Sequence, residues 1–261
     1  MTTVFGINQH FWAADSRWTF IGTHHFSDAH DTRKAILFDN EIMLYAGDEI
    51  AIIVDQAWSM DVIQIDDYLR LMAMVSEHEQ KLEKLVIGLG DGSIIDHQDS
   101  NLYPKSINNE PIFYLGSGGV HAADFFYYTH RKKKLSNLGC NLEGAMRYAS
   151  VKDVATGGKR SIDIWQSGRY LVRQMNNLLD EFDQLRYTSY LRTKVDYLYQ
   201  ELEQTEMTKT AAEKRSAFSS TFRAGSFSSQ EAGMRKVTMS SVISRIERTA
   251  ARKAAKTKSP D

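Results

Sequence analysis

A single cysteine, Cys140, occurs in 261 residues. That excludes an intramolecular disulfide framework and fits a reducing compartment. Cys140 itself precedes a helical run (Asn141-Leu142-Glu143-Gly144-Ala145) and reads as a helix-packing residue, not a nucleophile. Long apolar runs are missing too. The longest, such as Ile50 to Val54, span about five residues against the roughly 20 that cross a bilayer. The opening Met1-Thr2-Thr3-Val4-Phe5 has no basic stretch and no long apolar stretch, so no secretory signal is expected and the expected location is the cytoplasm. Net charge is almost absent, with 32 Lys and Arg against 33 Asp and Glu, which excludes a bulk polyelectrolyte partner. The balance hides an asymmetry. From Met234 onward eight basic residues meet two carboxylates, so a +6 tail hangs on a body of −7.

What is present reads as mixed α/β structure over residues 1–175. Val4 to Ile7 and Phe11 to Ala14 suggest a hairpin, as do Ala35 to Phe38 with Ile42 to Ala46. Asp48 to Trp58 and Asp66 to Lys84 carry helical patterns. Leu85 to Leu89 and Ser93 to Ile95 flank Gly90-Asp91-Gly92 as a third hairpin, and Ile112 to Leu115 is a strand running into Gly116-Ser117-Gly118-Gly119. Helices are expected at 120–131 and 141–154, the second capped by Asn141, and a last hairpin joins Arg160 to Trp165 with Tyr170 to Met175. Strands, two helices, strands, two helices and strands in that order suggest sheets between helical layers. Residues 176–206 predict an amphipathic helix with its N-cap at Asn176 or Asn177 and a stripe of Leu178, Phe182, Leu185, Leu191, Val195, Leu198 and Leu202. A Ser-rich flexible linker is expected over 207–233, and a basic amphipathic helix and tail over 234–261.

The residues that carry chemistry are spread along the first 175 positions. Removal of Met1 would leave Thr2 with a free amine, and an N-terminal threonine supplies both a hydroxyl nucleophile and its own base. An unperturbed α-amine titrates at about 7.7–8.0, so a small downward shift makes it a neutral base at pH 7. Ala13-Ala14-Asp15-Ser16-Arg17 ends the first hairpin, Arg33-Lys34-Ala35-Ile36 opens the next strand, and Ala46-Gly47-Asp48 closes the one after it. Gly116-Ser117-Gly118-Gly119 and Asp153-Val154-Ala155-Thr156-Gly157-Gly158 follow. In this order and spacing the set resembles the β-type proteasome peptidases, including their bacterial heat-shock relatives of the HslV type, which are N-terminal-nucleophile hydrolases. The resemblance implies an α+β fold, a four-layer αββα sandwich, here with a C-terminal helical extension.

It also implies roles. Thr2 would be the nucleophile, Lys34 the cation beside its hydroxyl, and Asp15 the partner that orients Lys34. Gly47 would donate its N–H to the oxyanion just ahead of a helix start. Ser117, Asp153 and Thr156 would hydrogen-bond around the Thr2 amine. Lys34 is preferred over its neighbour Arg33, because alternation sends the two to opposite faces. Thirteen positions separate Thr2 from Asp15, which demands a tight first hairpin. The expected activity is a threonine-type endopeptidase acting on unfolded polypeptides through an acyl-enzyme, with stacked homo-oligomeric rings and an ATP-driven unfoldase as partners and no cofactor. An inactive ring or scaffold protein and an N-terminal-nucleophile amidase stay open as alternatives.

Three further features carry less. His24-His25-Phe26-Ser27-Asp28-Ala29-His30-Asp31 concentrates metal-binding residue types, but no second cluster completes a site, so no metal is expected and a polar loop near the substrate cleft is. Thr19, Phe20, Gly47 and Glu49 are the neighbourhood expected to set specificity. Arg131-Lys132-Lys133-Lys134 reads as a basic helix end. The basic C-terminal helix is read first as a solvated tail, then as a dock for a partner subunit, and last as a contact to nucleic acid or anionic lipid.

Overall fold

A computed structural model describes residues 3–19, 25–131, 138–166, 168–174, 182–211 and 239–256. The chain opens with β1 (Val4–Ile7) and β2 (Phe11–Asp15), paired antiparallel with Ile7 opposite Phe11. Gln9 takes φ 61° between them, and the His10 N–H closes the turn on the Ile7 carbonyl at 3.0 Å. Three residues therefore make the turn, as the short interval to Asp15 requires.

Two short strands, β3 (Trp18–Thr19) and β4 (Phe26–Ser27), precede β5 (Ala35–Phe38) and β6 (Glu41–Gly47). Helices α1 (Glu49–Ser59) and α2 (Ile65–Glu77) follow. Here the structure corrects the expected helix over 66–84. The Glu79 backbone turns to φ 53°, and β7 (Leu82–Gly88) begins in the stretch read as helical. Then come β8 (Ile94–Gln98), β9 (Asn101–Ile107) and β10 (Glu110–Leu115). β9 was not expected; it is a sheet edge, the position where a strand tolerates its Pro104.

Helix α3 (Gly116–Arg131) starts at the Gly-Ser-Gly-Gly run, four residues before the expected 120. Helix α4 (Leu138–Lys152) has begun three residues before Asn141, so that residue lies in its first turn and is not its cap. The strands β11 (Arg160–Gln166) and β12 (Arg169–Gln174) complete the expected last hairpin.

The strands form a six-stranded sheet ordered β12-β11-β2-β1-β10-β9 and a four-stranded sheet ordered β5-β6-β7-β8. Alternation along the strands divides their side chains between separate apolar clusters. Val4, Trp12, Ala14, Leu115 and Trp165 of the larger sheet pack against Ala35, Ile42, Leu44, Ala46, Leu85 and Ile87 of the smaller one. The other face of the large sheet packs Phe5, Phe11 and Ile162 on Ala122, Phe126, Leu142 and Met146 of α3 and α4. Phe5, Phe11 and Phe126 form a ring triad with centroids 4.8–5.9 Å apart. The other face of the small sheet packs Ile36, Met43, Tyr45 and Val86 under α1 and α2.

Two more helices cover that last cluster. α5 (Gln184–Ala211) starts later and ends later than the expected 176–206. The Asp183 carboxylate caps it by accepting the Arg186 N–H at 3.0 Å, a role expected of Asn176 or Asn177, which lie outside the described residues, as does Leu178. Leu191, Val195, Leu198 and Leu202 are buried as the stripe predicts, whereas Leu185 is 83% exposed. Residues 207–211, expected in the linker, belong to α5; residues 212–238, which hold the rest of that linker, are outside the described set. α6 (Met239–Lys256) is not a solvated tail. It lies on α2 with Val242 fully buried, and Arg248 bonds Asp96 at 2.8 Å. Ile243 and Ala250 of this helix are exposed. No helix among the described residues is long and apolar enough to cross a membrane.

Candidate active site

The start of β1, the end of β2 and the turn after α4 converge on one buried polar cluster. Asp15, the last residue of β2, is fully buried. Its two carboxylate oxygens accept the Thr3 N–H at 2.9 Å and the Gly157 N–H at 2.6 Å. The next residues fix its position: the Arg17 guanidinium grips Asp28 with two bonds of 2.7 and 3.0 Å, and the Arg17 N–H donates to the Gly157 carbonyl at 3.2 Å.

Lys34 stands just ahead of β5, its carbonyl accepting the Tyr45 N–H of β6. The residue is 3% exposed, and its side chain runs over the Trp18 ring at 4.6 Å and donates to the Arg17 carbonyl. Burial pushes its ammonium down to about 8, against the opposing pull of Asp15 and then Asp153. Burial likewise pushes Asp15 up to about 6, with Lys34 and the two main-chain donors holding it back. Burial thus drives both groups toward their neutral forms, and the charge of each holds the other back.

Beside this pair runs a chain of hydroxyls. Thr3 Oγ1 lies 2.5 Å from Thr156 Oγ1, which donates to Asp153 Oδ2 at 3.1 Å. Thr156 has one proton, so Thr3 must donate to it. Ser117 donates to the same Asp153 oxygen at 2.5 Å, and the Ala155 N–H satisfies the other at 3.0 Å. Gly118 closes over the two threonines. A Cβ there would stand 2.0 Å from both hydroxyl oxygens, so only glycine fits. Gly47 lies two residues beyond Tyr45 at the end of β6, with φ 130° and no room for a Cβ against the Lys81 carbonyl.

A cleft of about 150 Å³ opens beside Lys34, lined by Ser16, Asp28, His30, Asp31, Arg33 and Lys159 among others.

No family model matches the chain, and none of the curated proteins does. Solved structures do. The chain is similar to eukaryotic HslV from Trypanosoma brucei, at 13% identity over 63% of this chain and 99% of that one, with a TM-score of 0.38. It is similar to Anbu from Hyphomicrobium sp. strain MC1, at 12% identity over 83% and 100%, with a TM-score of 0.39. A third is BPH from Thiobacillus denitrificans in complex with epoxomicin, at 13% identity over 62% and 96%, with a TM-score of 0.41. At such identities and scores the likeness says nothing about chemistry, which rests on the residues themselves.

Of the residues named from sequence, Asp15, Lys34, Ser117, Asp153 and Thr156 come together around Thr3. Gly47 sits at the end of the strand that pairs with Lys34, directly ahead of α1. Thr2 lies outside the described residues, one position before Thr3. Arg33 is half-buried and lines the cleft, while Lys34 turns inward. Of the residues expected to set specificity, Phe20 is outside the described set, and Glu49 accepts the Thr32 hydroxyl at 2.7 Å. His24 is also outside it; among the described residues no group of three or more His, Cys, Asp or Glu could hold a metal.

Three participants were not singled out from sequence. Thr3 is fully buried at the head of the hydroxyl chain. Gly118 entered only as one member of the run Gly116-Ser117-Gly118-Gly119. Glu83 lies beneath the start of α3, accepting the Gly116 N–H at 2.7 Å, and burial pushes its carboxyl up to about 7. Its signal was one acidic residue inside Leu82-Glu83-Lys84-Leu85-Val86.

Proposed function

We propose that the chain is a threonine-type N-terminal-nucleophile hydrolase acting on peptide bonds, with a four-layer αββα sandwich of the kind its sequence resembles. The observation that carries this is the buried pair of Asp15 and Lys34, coupled through their charges, set against the Thr3–Thr156–Asp153–Ser117 chain, one residue from Thr2. Cleavage immediately ahead of Thr2 frees its amine. The Thr2 hydroxyl then attacks the substrate carbonyl while the amine takes its proton. Lys34, as a cation, lowers the hydroxyl's pKa and disfavours a protonated amine nearby. Asp15 balances and orients that cation.

The tetrahedral oxyanion accepts the Gly47 N–H, a type of donor worth about 3 kcal/mol in the transition state. Collapse breaks the C–N bond, the departing amine collects the proton, and a Thr2 ester remains. Water, deprotonated by the Thr2 amine, hydrolyses the ester and restores the hydroxyl. Ser117, Asp153 and Thr156 hold the amine's surroundings. Stacked homo-oligomeric rings and an ATP-driven unfoldase complete the proposal, and confine cleavage to unfolded polypeptides.

Intact mass before and after incubation with a peptide epoxyketone tests it, because that group reacts with a hydroxyl and an amine together. A mature chain beginning at Thr2 is expected to gain one inhibitor mass, and Thr2→Ala none. A chain that begins at Thr2 and takes up no inhibitor overturns the proposal.

A further inference from the structure

Lys34 is held by a segment, 32–34, that lies outside the strand ladder until Lys34 itself meets Tyr45. Side chains bind its main chain instead. The Thr32 N–H donates to His30 Nδ1 at 3.1 Å, and the Thr32 carbonyl accepts the Trp18 indole N–H at 2.9 Å. The Arg33 carbonyl accepts Gln56 Nε2 at 2.7 Å. The Arg33 N–H has its acceptor far along the chain, in the Tyr187 hydroxyl of α5 at 2.9 Å. That hydroxyl donates onward to Gln56 Oε1 at 2.6 Å, so Tyr187 and Gln56 clasp both polar groups of one peptide residue. One turn later on α5, Tyr190 lies 2.6 Å from Thr32 Oγ1. The Thr32 proton goes to Glu49, so Tyr190 is the donor here.

We propose that Tyr187 and Tyr190 of the C-terminal extension are positioning residues, fixing Thr32 and Arg33 so that the Lys34 ammonium stays buried facing Asp15 and Asp153. Packing alone does not require these bonds. Tyr187 is buried in the same apolar cluster as Leu191, Val195, Leu198 and Leu202, and Tyr190 packs against it, but that packing needs only their rings, and phenylalanine would fill the same space as either tyrosine. What the hydroxyls add is a grip on the two residues before Lys34. The inference deepens the hydrolase function proposed above and rests on it for its catalytic meaning.

The groups around Lys34 come from several elements. Asp15 ends β2, Asp153 follows α4, and the Arg17 carbonyl and Trp18 ring lie on the turn and strand after β2. Asp28, His30, Asp31, Arg33 and Lys159 border the cleft beside it. Releasing the segment admits water to the ammonium and weakens its desolvation.

The test uses the full chain with isotope-labelled lysine and follows the Lys34 side-chain signal against pH in the wild type, Tyr187→Phe, Tyr190→Phe and the double variant. The Lys34 titration is expected to rise by about one unit in the double variant, a tenfold change in its proton affinity, and less in each single variant. Peptide hydrolysis should show its alkaline limb moving up by the same amount. Tyr199→Phe, on the same helix but facing Arg70 and Asp67 of α2, should leave both unchanged. A double variant that unfolds more easily while the Lys34 titration stays in place overturns the proposal; if the double variant does not fold, Tyr190→Phe alone decides on the same criterion. Because the titration needs no turnover, a moved titration in a chain without hydrolase activity supports the clasp and sinks only the hydrolase.

Discussion

Among the described residues two lysines are buried beside aspartates, and their surroundings differ. Lys84 of β7 bonds Asp55 Oδ2 at 2.7 Å and Ser59 Oγ at 2.9 Å, both on α1, and stands over the Tyr45 ring. Its acceptors belong to one helix packed on its own sheet, and Asp55 is fully buried. Lys34 is as deeply buried, but the groups that face it come from β2, the turn after β2 and the turn after α4, and a cleft opens beside it. The first pair pins a helix to a sheet. The second gathers three separate segments around the start of β1, where a charge held in low dielectric is useful for chemistry and costly for folding.

Exchanging each lysine for methionine separates the two. Lys84→Met leaves Asp55 as an uncompensated buried charge, and breaking such a pair costs about 3–5 kcal/mol. Denaturant unfolding should show that loss, with the folded protein keeping its turnover per site. Lys34→Met should do the reverse. Asp15 keeps its two main-chain donors and is already pushed up to about 6, so it takes a proton near neutral pH and little stability is lost. Hydrolysis should fall by roughly 10²–10³-fold, the range for losing one group that stabilises charge electrostatically in the transition state. Equal stability losses in both variants would erase the distinction.

The hydroxyl chain is the next point to press. Gly118→Ala would bring a methyl to 2.0 Å from Thr3 Oγ1 and Thr156 Oγ1, so both must move. Overpacking of this kind costs about 1–3 kcal/mol, and here it falls on the site. Hydrolysis should drop with the unfolding midpoint, whereas Thr156→Ser, which keeps the hydroxyl, should retain most of both. A smaller effect is expected from pH alone. Activity that needs Asp15 as an anion and Lys34 as a cation is lost below about 6, as Asp15 protonates, and above about 8, as Lys34 gives up its proton. Each limb should fall about tenfold per unit, and Lys34→Met should abolish the alkaline one.

The same contrast explains what could be read in advance. Hairpins built from short apolar runs joined by a polar turn, Val4 to Ile7 with Phe11 to Ala14 for instance, were legible because both runs are buried along their whole length. The α2–β7 boundary was not. Glu83 and Lys84 look like a helix surface, yet both are buried because their partners, Gly116 and Asp55, lie about 30 positions away. β9 was missed because its Leu102 points to solvent, 58% exposed, which removes the alternation. In the site, Asp15, Lys34, Ser117, Asp153 and Thr156 stood in recognisable turns. Tyr187 and Tyr190 carried no signal, since nothing in a helix's own sequence says that its hydroxyls reach a loop more than 150 residues earlier.

The outermost contact of the extension should matter least. Arg248 of α6 bonds Asp96 of β8 at 2.8 Å with its own side chain 42% exposed. An ion pair so open to solvent is screened, and is worth about 0.2–1 kcal/mol. Arg248→Ala should therefore lower the unfolding free energy by no more than that, and less still in high salt. The Lys34 titration should not move, because α6 meets α2 and β8, whereas the residues that bind the segment before Lys34 come from α5, α1, β3 and the loop ahead of β5. If Arg248→Ala shifts that titration, α6 acts on the site through α2, and the clasp formed by α5 is only part of a larger brace.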